Sequence, residues 1–160
     1  MLKRENNLIL IVILFFVSLV LISAFVIEYG LSYQPCKLCL YERIPYILSI
    51  LLIIKILFVK KYEKITLFIL FLIFIASAVL AFYHFGIEQG FFSESFVCKV
   101  GDLSGTLSKE QLLEQLNKNS ISCKDVSFRV LGLSLATINT ILSIILSVIF
   151  LKLFLNYAKN

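Results

Sequence analysis

Four long apolar runs, separated by short stretches of charged and turn-forming residues, dominate the chain. The first, over 8–27, contains no charge at all. The second, over 44–59, holds only Lys55 near its far end, and adding Leu40 and Tyr41 brings it to membrane-spanning length. The third covers 65–87 and the fourth 130–155, with Lys152 close to its end. Crossing about 30 Å of hydrocarbon takes roughly 20 mostly apolar residues. In lipid every backbone polar group must bond internally, so runs of this length have to be helices. The long stems of Lys55 and Lys152 let their ammonium groups snorkel to the headgroups. The pattern predicts an all-α membrane protein, a four-transmembrane-helix bundle forming a single membrane domain over 1–160. Its spans are about 8–27, 40–59, 65–87 and 130–155.

Lys3-Arg4 ahead of the first run also fits the opening of a secretory signal peptide. A signal's apolar region is about 7–15 residues long, shorter than this one, and Ser23-Ala24 makes a poor cleavage site. The segment is expected to be a retained helix.

Composition sharpens the class. The chain is 60% apolar and 16% charged, against about 45–50% and about 25% in soluble domains. The net charge of +5 would point to nucleic acid only if the basic residues gathered on a soluble face, and here they mostly sit at the ends of apolar runs. Lys and Arg excess marks the cytoplasmic side of a membrane protein. Lys3 and Arg4 precede the first span, Lys60, Lys61 and Lys64 lie between the second and third, and Lys159 closes the chain. The other two loops, 28–39 and 88–129, are nearly balanced, the longer with five basic and six acidic residues. Both termini are therefore expected to be cytoplasmic, with loops 28–39 and 88–129 outside.

All four cysteines fall near those outer loops, in a compartment where paired cysteines become disulfides. Cys36-Lys37-Leu38-Cys39 is a C-x-x-C, preceded by Pro35 and placed where the second span begins. A helix start favours a thiolate, and Arg43, one turn after Cys39, is expected to lower the Cys39 pKa further. Cys98 and Cys123 form a second pair, with 24 residues between them. Zinc bound by four cysteines usually takes two close pairs, so no metal site is expected. A C-x-x-C closes too small a loop to stabilise by chain entropy, which favours a redox role for Cys36 and Cys39. The wider pair serves equally well as a structural clamp. Palmitoylation ranks last, because these cysteines face outside.

Within 88–129, Ser108-Lys109-Glu110-Gln111 reads as a capping box opening a short helix. Leu107, Leu112, Leu113 and Leu116 give that helix an apolar side for the membrane surface. It either covers the bundle mouth or carries Cys98 and Cys123 to a partner. His84, the only histidine, lies near the outer end of the third span, at about the depth of the C-x-x-C. A lone histidine there is commonly an interfacial residue, yet an ionisable group just inside a membrane is a functional candidate.

Pro35-Cys36-Lys37-Leu38-Cys39-Leu40-Tyr41-Glu42-Arg43 closely resembles the P-C-x-x-C-x-Y-E-R signature of the disulfide bond formation protein B (DsbB) family. Tyr83-His84-Phe85-Gly86-Ile87-Glu88 resembles the family's segment at the outer end of the third helix. Leu131-Gly132-Leu133-Ser134-Leu135-Ala136, with Asn139, is similar to the start of its fourth. The resemblance implies a bacterial inner-membrane enzyme that keeps the periplasm oxidising. It implies disulfides Cys36–Cys39 and Cys98–Cys123, and a soluble thioredoxin-fold oxidase of the DsbA type as partner. By the same resemblance, that partner's thiolate attacks Cys98, Cys123 exchanges with Cys36, and Cys39 passes electrons to a quinone, ubiquinone or menaquinone. Arg43 and His84 are implied as the quinone's neighbours. Reoxidising a dithiol near about −120 mV calls for a stronger acceptor still, each 30 mV being about 1.4 kcal/mol for two electrons. A lipid-soluble quinone meets that need.

Vitamin K epoxide reductase-like proteins also pair a C-x-x-C with two loop cysteines, but there the loop pair precedes the C-x-x-C, whereas here it follows. A membrane scaffold braced by structural disulfides is the reading from a different class.

Overall fold

A computed structural model of the protein describes residues 2–59, 61–93, 123–124, 129–130 and 132–158. Cys98 and the helix expected at Ser108 lie outside them. Helix α1 (Leu2–Phe25) ends in a wide π-helical turn, Val26–Gly30, in which the Leu31 N–H donates to the Val26 carbonyl at 3.1 Å. Helix α2 spans Lys37–Phe58 and α3 spans Glu63–Glu88. A two-residue antiparallel ladder then pairs β1 (Arg129–Val130) with β2 (Leu133–Ser134), and α4 (Leu135–Ala158) follows.

Three stretches are long and apolar enough to cross a membrane: Asn7–Gly30, Glu63–Glu88 and Leu135–Tyr157. Helix α2 differs from them in charge. Any 18-residue stretch of it contains Glu42, Arg43 and either Lys37 or Lys55. The helix with the most charged side chains is thus the one that carries the C-x-x-C.

Two helix starts have clear local causes. Cys36 sits at the N-cap of α2 in extended backbone, φ −69° and ψ 167°, and its Sγ accepts the Cys39 N–H at 3.2 Å. A sulfur here fills the place a serine or aspartate oxygen usually takes. The fourth apolar run, read as helical from 130, becomes helix only at Leu135. Gly132, at φ +84°, turns the short ladder, a left-handed conformation that glycine adopts at no steric cost. Ser134 Oγ then accepts the Thr137 N–H at 3.2 Å and caps α4.

The helices pack around one apolar core, with α3 against α4 the most extensive contact. Phe74 and Phe150 stack at 5.5 Å between ring centroids, and Tyr46 meets Phe74 edge-on at 5.8 Å. Ser77 and Ser143 hydrogen-bond across α3 and α4 at 3.0 Å, both fully buried. The outer faces carry Phe15, Phe58 and Val79, 68%, 84% and 65% exposed. Such a continuous apolar exterior is a liability in water and the natural complement of lipid.

A candidate redox site at the start of α2

The N-cap position aims Cys36 inward, where it is buried, and Cys39 lies one turn on, half-buried. Both are free thiols, with their sulfurs 2.8 Å apart. His84 reaches the pair from α3, its Nε2 lying 3.5 Å from Cys36 Sγ. The other ring nitrogen, Nδ1, is 2.7 Å from Glu42 Oε1. Glu42 Oε2 in turn accepts from Asn139 Nδ2 at 2.6 Å, and the Tyr46 hydroxyl donates to Asn139 Oδ1. A chain of polar contacts therefore runs from the cysteine pair through His84 and Glu42 to α4, inside an otherwise apolar bundle.

Glu88 closes the outer side of this group. Its Oε1 is 3.8 Å from His84 Nε2, while Oε2 is buried with no hydrogen-bond partner among the described residues.

Arg43 departs from the expected arrangement. Its Nη1 is paired with Glu28 of the π-helical turn, and its guanidinium lies over the Phe25 ring at 5.0 Å. The low-pKa thiol is Cys36 rather than Cys39. Cys36 is lowered to about 5, chiefly by the hydrogen bond from the Cys39 thiol, with His84 and the Cys39 N–H adding to that against the opposing cost of burial. The Cys39 thiol is pushed up, first by that same hydrogen bond and then by burial.

A pH titration checks this assignment. Thiolate absorbance of the reduced protein is expected to fall with a midpoint near pH 5, and that step is expected to be missing in Cys36→Ser. A folded-state pKa below the usual cysteine value of about 8.5 stabilises the reduced fold fully above that value. The contribution shrinks as pH falls through the window and is lost below about 5. A single step near the ordinary value would refute it.

Cys123 is buried and disulfide-bonded, and it belongs to one buried cluster with Cys36, Leu38 and Ile87. Its pairing with Cys98 lies outside the described residues. The sequence had marked Cys36, Cys39, Arg43, His84 and Cys123, and the first four line one cavity, which Cys123 does not. Glu28 and Tyr46 had no role assigned from sequence, and Glu42, Glu88 and Asn139 entered only through the resemblance. An intramembrane carboxylate beside Arg43, and a glutamate one turn beyond His84, were the available signals.

The cavity has a volume of about 460 Å³. Val20, Leu21, Ile27, Leu135, Ile138 and Leu142 form apolar walls, and Cys36, Cys39, Arg43 and His84 are among its polar lining. That size and that mix suit a small organic ligand.

The profile of the family described as Disulfide bond formation protein DsbB matches residues 6–153 of the chain. An uncharacterized protein, RP370, of Rickettsia prowazekii (strain Madrid E) is 31% identical over 161 residues, covering 99% of this chain and 93% of that protein. No solved structure matches.

Proposed function

Since the chain belongs to the DsbB family of membrane disulfide-forming oxidoreductases, we propose that it reoxidises a soluble thioredoxin-fold dithiol oxidase and delivers the electrons to a membrane quinone. The observation that carries this reading is the buried Cys36–Cys39 pair at an apolar-walled cavity, in contact with His84. In this reading α2 also crosses the membrane, as the second of four spans, both termini are cytoplasmic, and both cysteine pairs face the periplasm of a bacterial inner membrane.

The exchange conserves electrons at each step. A thiolate of the partner attacks Cys98, breaking the Cys98–Cys123 disulfide and leaving a mixed disulfide. The partner's second thiol resolves it, so the partner is oxidised and the loop pair reduced. Cys123 then attacks Cys36, breaking the Cys36–Cys39 disulfide, and Cys98 resolves the Cys123–Cys36 mixed disulfide, so the loop pair is reoxidised and the C-x-x-C left as two thiols. Burial of Cys123 in one cluster with Cys36 supports this transfer.

The cavity fits a quinone ring, with Arg43 and His84 as the polar groups to hold it. When bound, a quinone supplies a two-electron, two-proton acceptor. Cys36 and Cys39 close to a disulfide as the pair gives up its electrons. His84, facing Cys36 with Glu42 behind it, is placed to hold a proton at Nε2 or Nδ1. The lowered Cys36 pKa keeps that sulfur nucleophilic at neutral pH.

The test mixes purified protein with a reduced thioredoxin-fold partner and a soluble quinone. Quinone reduction should depend on both protein components, and Cys123→Ser should trap a mixed disulfide at Cys98. Reduction that proceeds without the partner, or trapping at Cys36 instead, would overturn the relay.

A further inference from the structure

The spacing of the four cysteines argues against a structural zinc, but the folded site assembles a different ligand set. Cys36 Sγ, Cys39 Sγ and a His84 ring nitrogen all lie within 4.8 Å of one another. We propose that the reduced C-x-x-C and His84 Nε2 form a binding site for one thiophilic d10 cation, Zn²⁺ or Cd²⁺, which locks the pair as a dithiolate and halts electron flow.

Three features of the geometry support it. A tetrahedral zinc with Zn–S of about 2.3 Å and Zn–N of about 2.0–2.1 Å needs sulfur and nitrogen about 3.5 Å apart, and Cys36 Sγ is 3.5 Å from Nε2. The two sulfurs, at 2.8 Å, have to part by about 1 Å, a small rotation of the half-buried Cys39 side chain. Second, metal-bound histidines usually donate their other N–H to a carboxylate, which fixes the tautomer. Glu42 Oε1 already stands 2.7 Å from Nδ1, leaving Nε2 to face the sulfurs. Third, Glu88 Oε2 is buried without a partner among the described residues, on a carboxylate whose other oxygen is 3.8 Å from Nε2. Glu88 lies beside the three donors but not among those within 4.8 Å of one another, so its side chain has to rotate inward to become the fourth ligand, which would give that orphaned oxygen a partner.

Binding takes the Cys39 proton and the proton shared between Cys36 and His84 Nε2 to solvent and forms two metal–sulfur bonds and one metal–nitrogen bond, with no change of oxidation state. Oxidation of the pair to a disulfide removes both thiolate ligands, so the site exists only in the reduced protein. Blocking of turnover rests on the redox reading above; the metal site itself rests on the geometry.

Reduced, metal-free, full-length protein in detergent is titrated with Cd²⁺, following the thiolate-to-cadmium charge-transfer band, and Zn²⁺ is then added as competitor. The expected result is one Cd²⁺ per chain, displaced by Zn²⁺, and no band in the oxidised protein. His84→Ala and Glu42→Gln are each expected to weaken binding about 10–100-fold, the usual effect of losing a ligand's support. Equal affinity in both variants and the unaltered protein would reduce the site to plain dithiol chelation and overturn the proposal. So would a band of equal strength in the oxidised protein, a comparison that needs no variant. Under turnover, saturating Zn²⁺ should stop quinone reduction and a chelator should restore it; a filled site that leaves turnover unchanged overturns the block. Cd²⁺ binding needs neither partner nor quinone, so a protein that binds Cd²⁺ but never reduces quinone would sink the redox reading and leave the metal site standing.

Discussion

Replacing Cys36 or Cys39 with serine is expected to abolish partner-dependent quinone reduction, a loss of at least about a thousandfold, of the order seen when a covalent nucleophile is removed. A single thiol cannot store two electrons as a disulfide, and serine cannot take its place in thiol–disulfide exchange. The two variants should nonetheless fail differently. Cys39→Ser keeps the N-cap sulfur, the backbone N–H donated to it and the His84 contact, and the serine hydroxyl can take over the Cys39 thiol's hydrogen bond, so Cys36 should remain a thiolate and trap Cys123, its neighbour in the buried cluster, in a mixed disulfide. Cys36→Ser removes the low-pKa sulfur and should trap nothing. Steady-state quinone absorbance together with non-reducing electrophoresis separates these outcomes. Residual turnover in Cys39→Ser would mean that the C-x-x-C is a structural element and that the electrons pass elsewhere.

The second large effect is expected at Glu42. This buried carboxylate meets His84 through one oxygen and Asn139 through the other, tying α2 to α3 and α4. Glu42→Leu removes both acceptors and should cost about 2–4 kcal/mol, because each orphaned buried donor costs about 1–3 kcal/mol. Interhelical hydrogen bonds in membranes average only about 0.6 kcal/mol, since unpaired groups there often find new partners. His84 Nδ1 and Asn139 Nδ2 are held on two different helices, which limits that escape. Glu42→Gln keeps one acceptor oxygen and should lose about half as much. Unfolding in mixed micelles, followed by helix content, measures both, and a Glu42→Leu protein as stable as the parent would show that the polar chain carries no structural weight.

Much of the bundle was legible in the chain because lipid leaves the backbone few options. Long apolar runs must be helices there, and three of them appear as expected, while the polar N-terminal end of α2 shows in its own charges. The C-x-x-C at a helix start was readable for the same local reason, since Pro35 and the cap position are neighbours in sequence. Partner choice was not local. Arg43 stands one turn from Cys39, and helical spacing alone makes that thiol its obvious partner. The residue that captures it, Glu28, comes from another helix and is presented by a turn whose geometry no periodicity announces. The start of α4 was misplaced by a few residues because Val130 and Leu133 are as apolar as the helix behind them. Only Gly132 and the cap at Ser134 mark the true boundary.

The wide turn at Val26–Gly30 has a meaning for how such a site changes over time. An i→i+5 turn holds one more residue than the α-helical path it replaces, and such turns recur at functional sites. Here the surplus residue lets the end of α1 be re-phased without disturbing the lipid-facing helix beneath it. Loss of one residue anywhere in that turn would restore ordinary α-helical phase, swing Glu28 by roughly a quarter of a revolution and release the Arg43 guanidinium. A one-codon deletion, tolerated by the membrane anchor, is thus a short route by which a descendant of this chain would acquire a cationic redox pocket in place of a neutralised one.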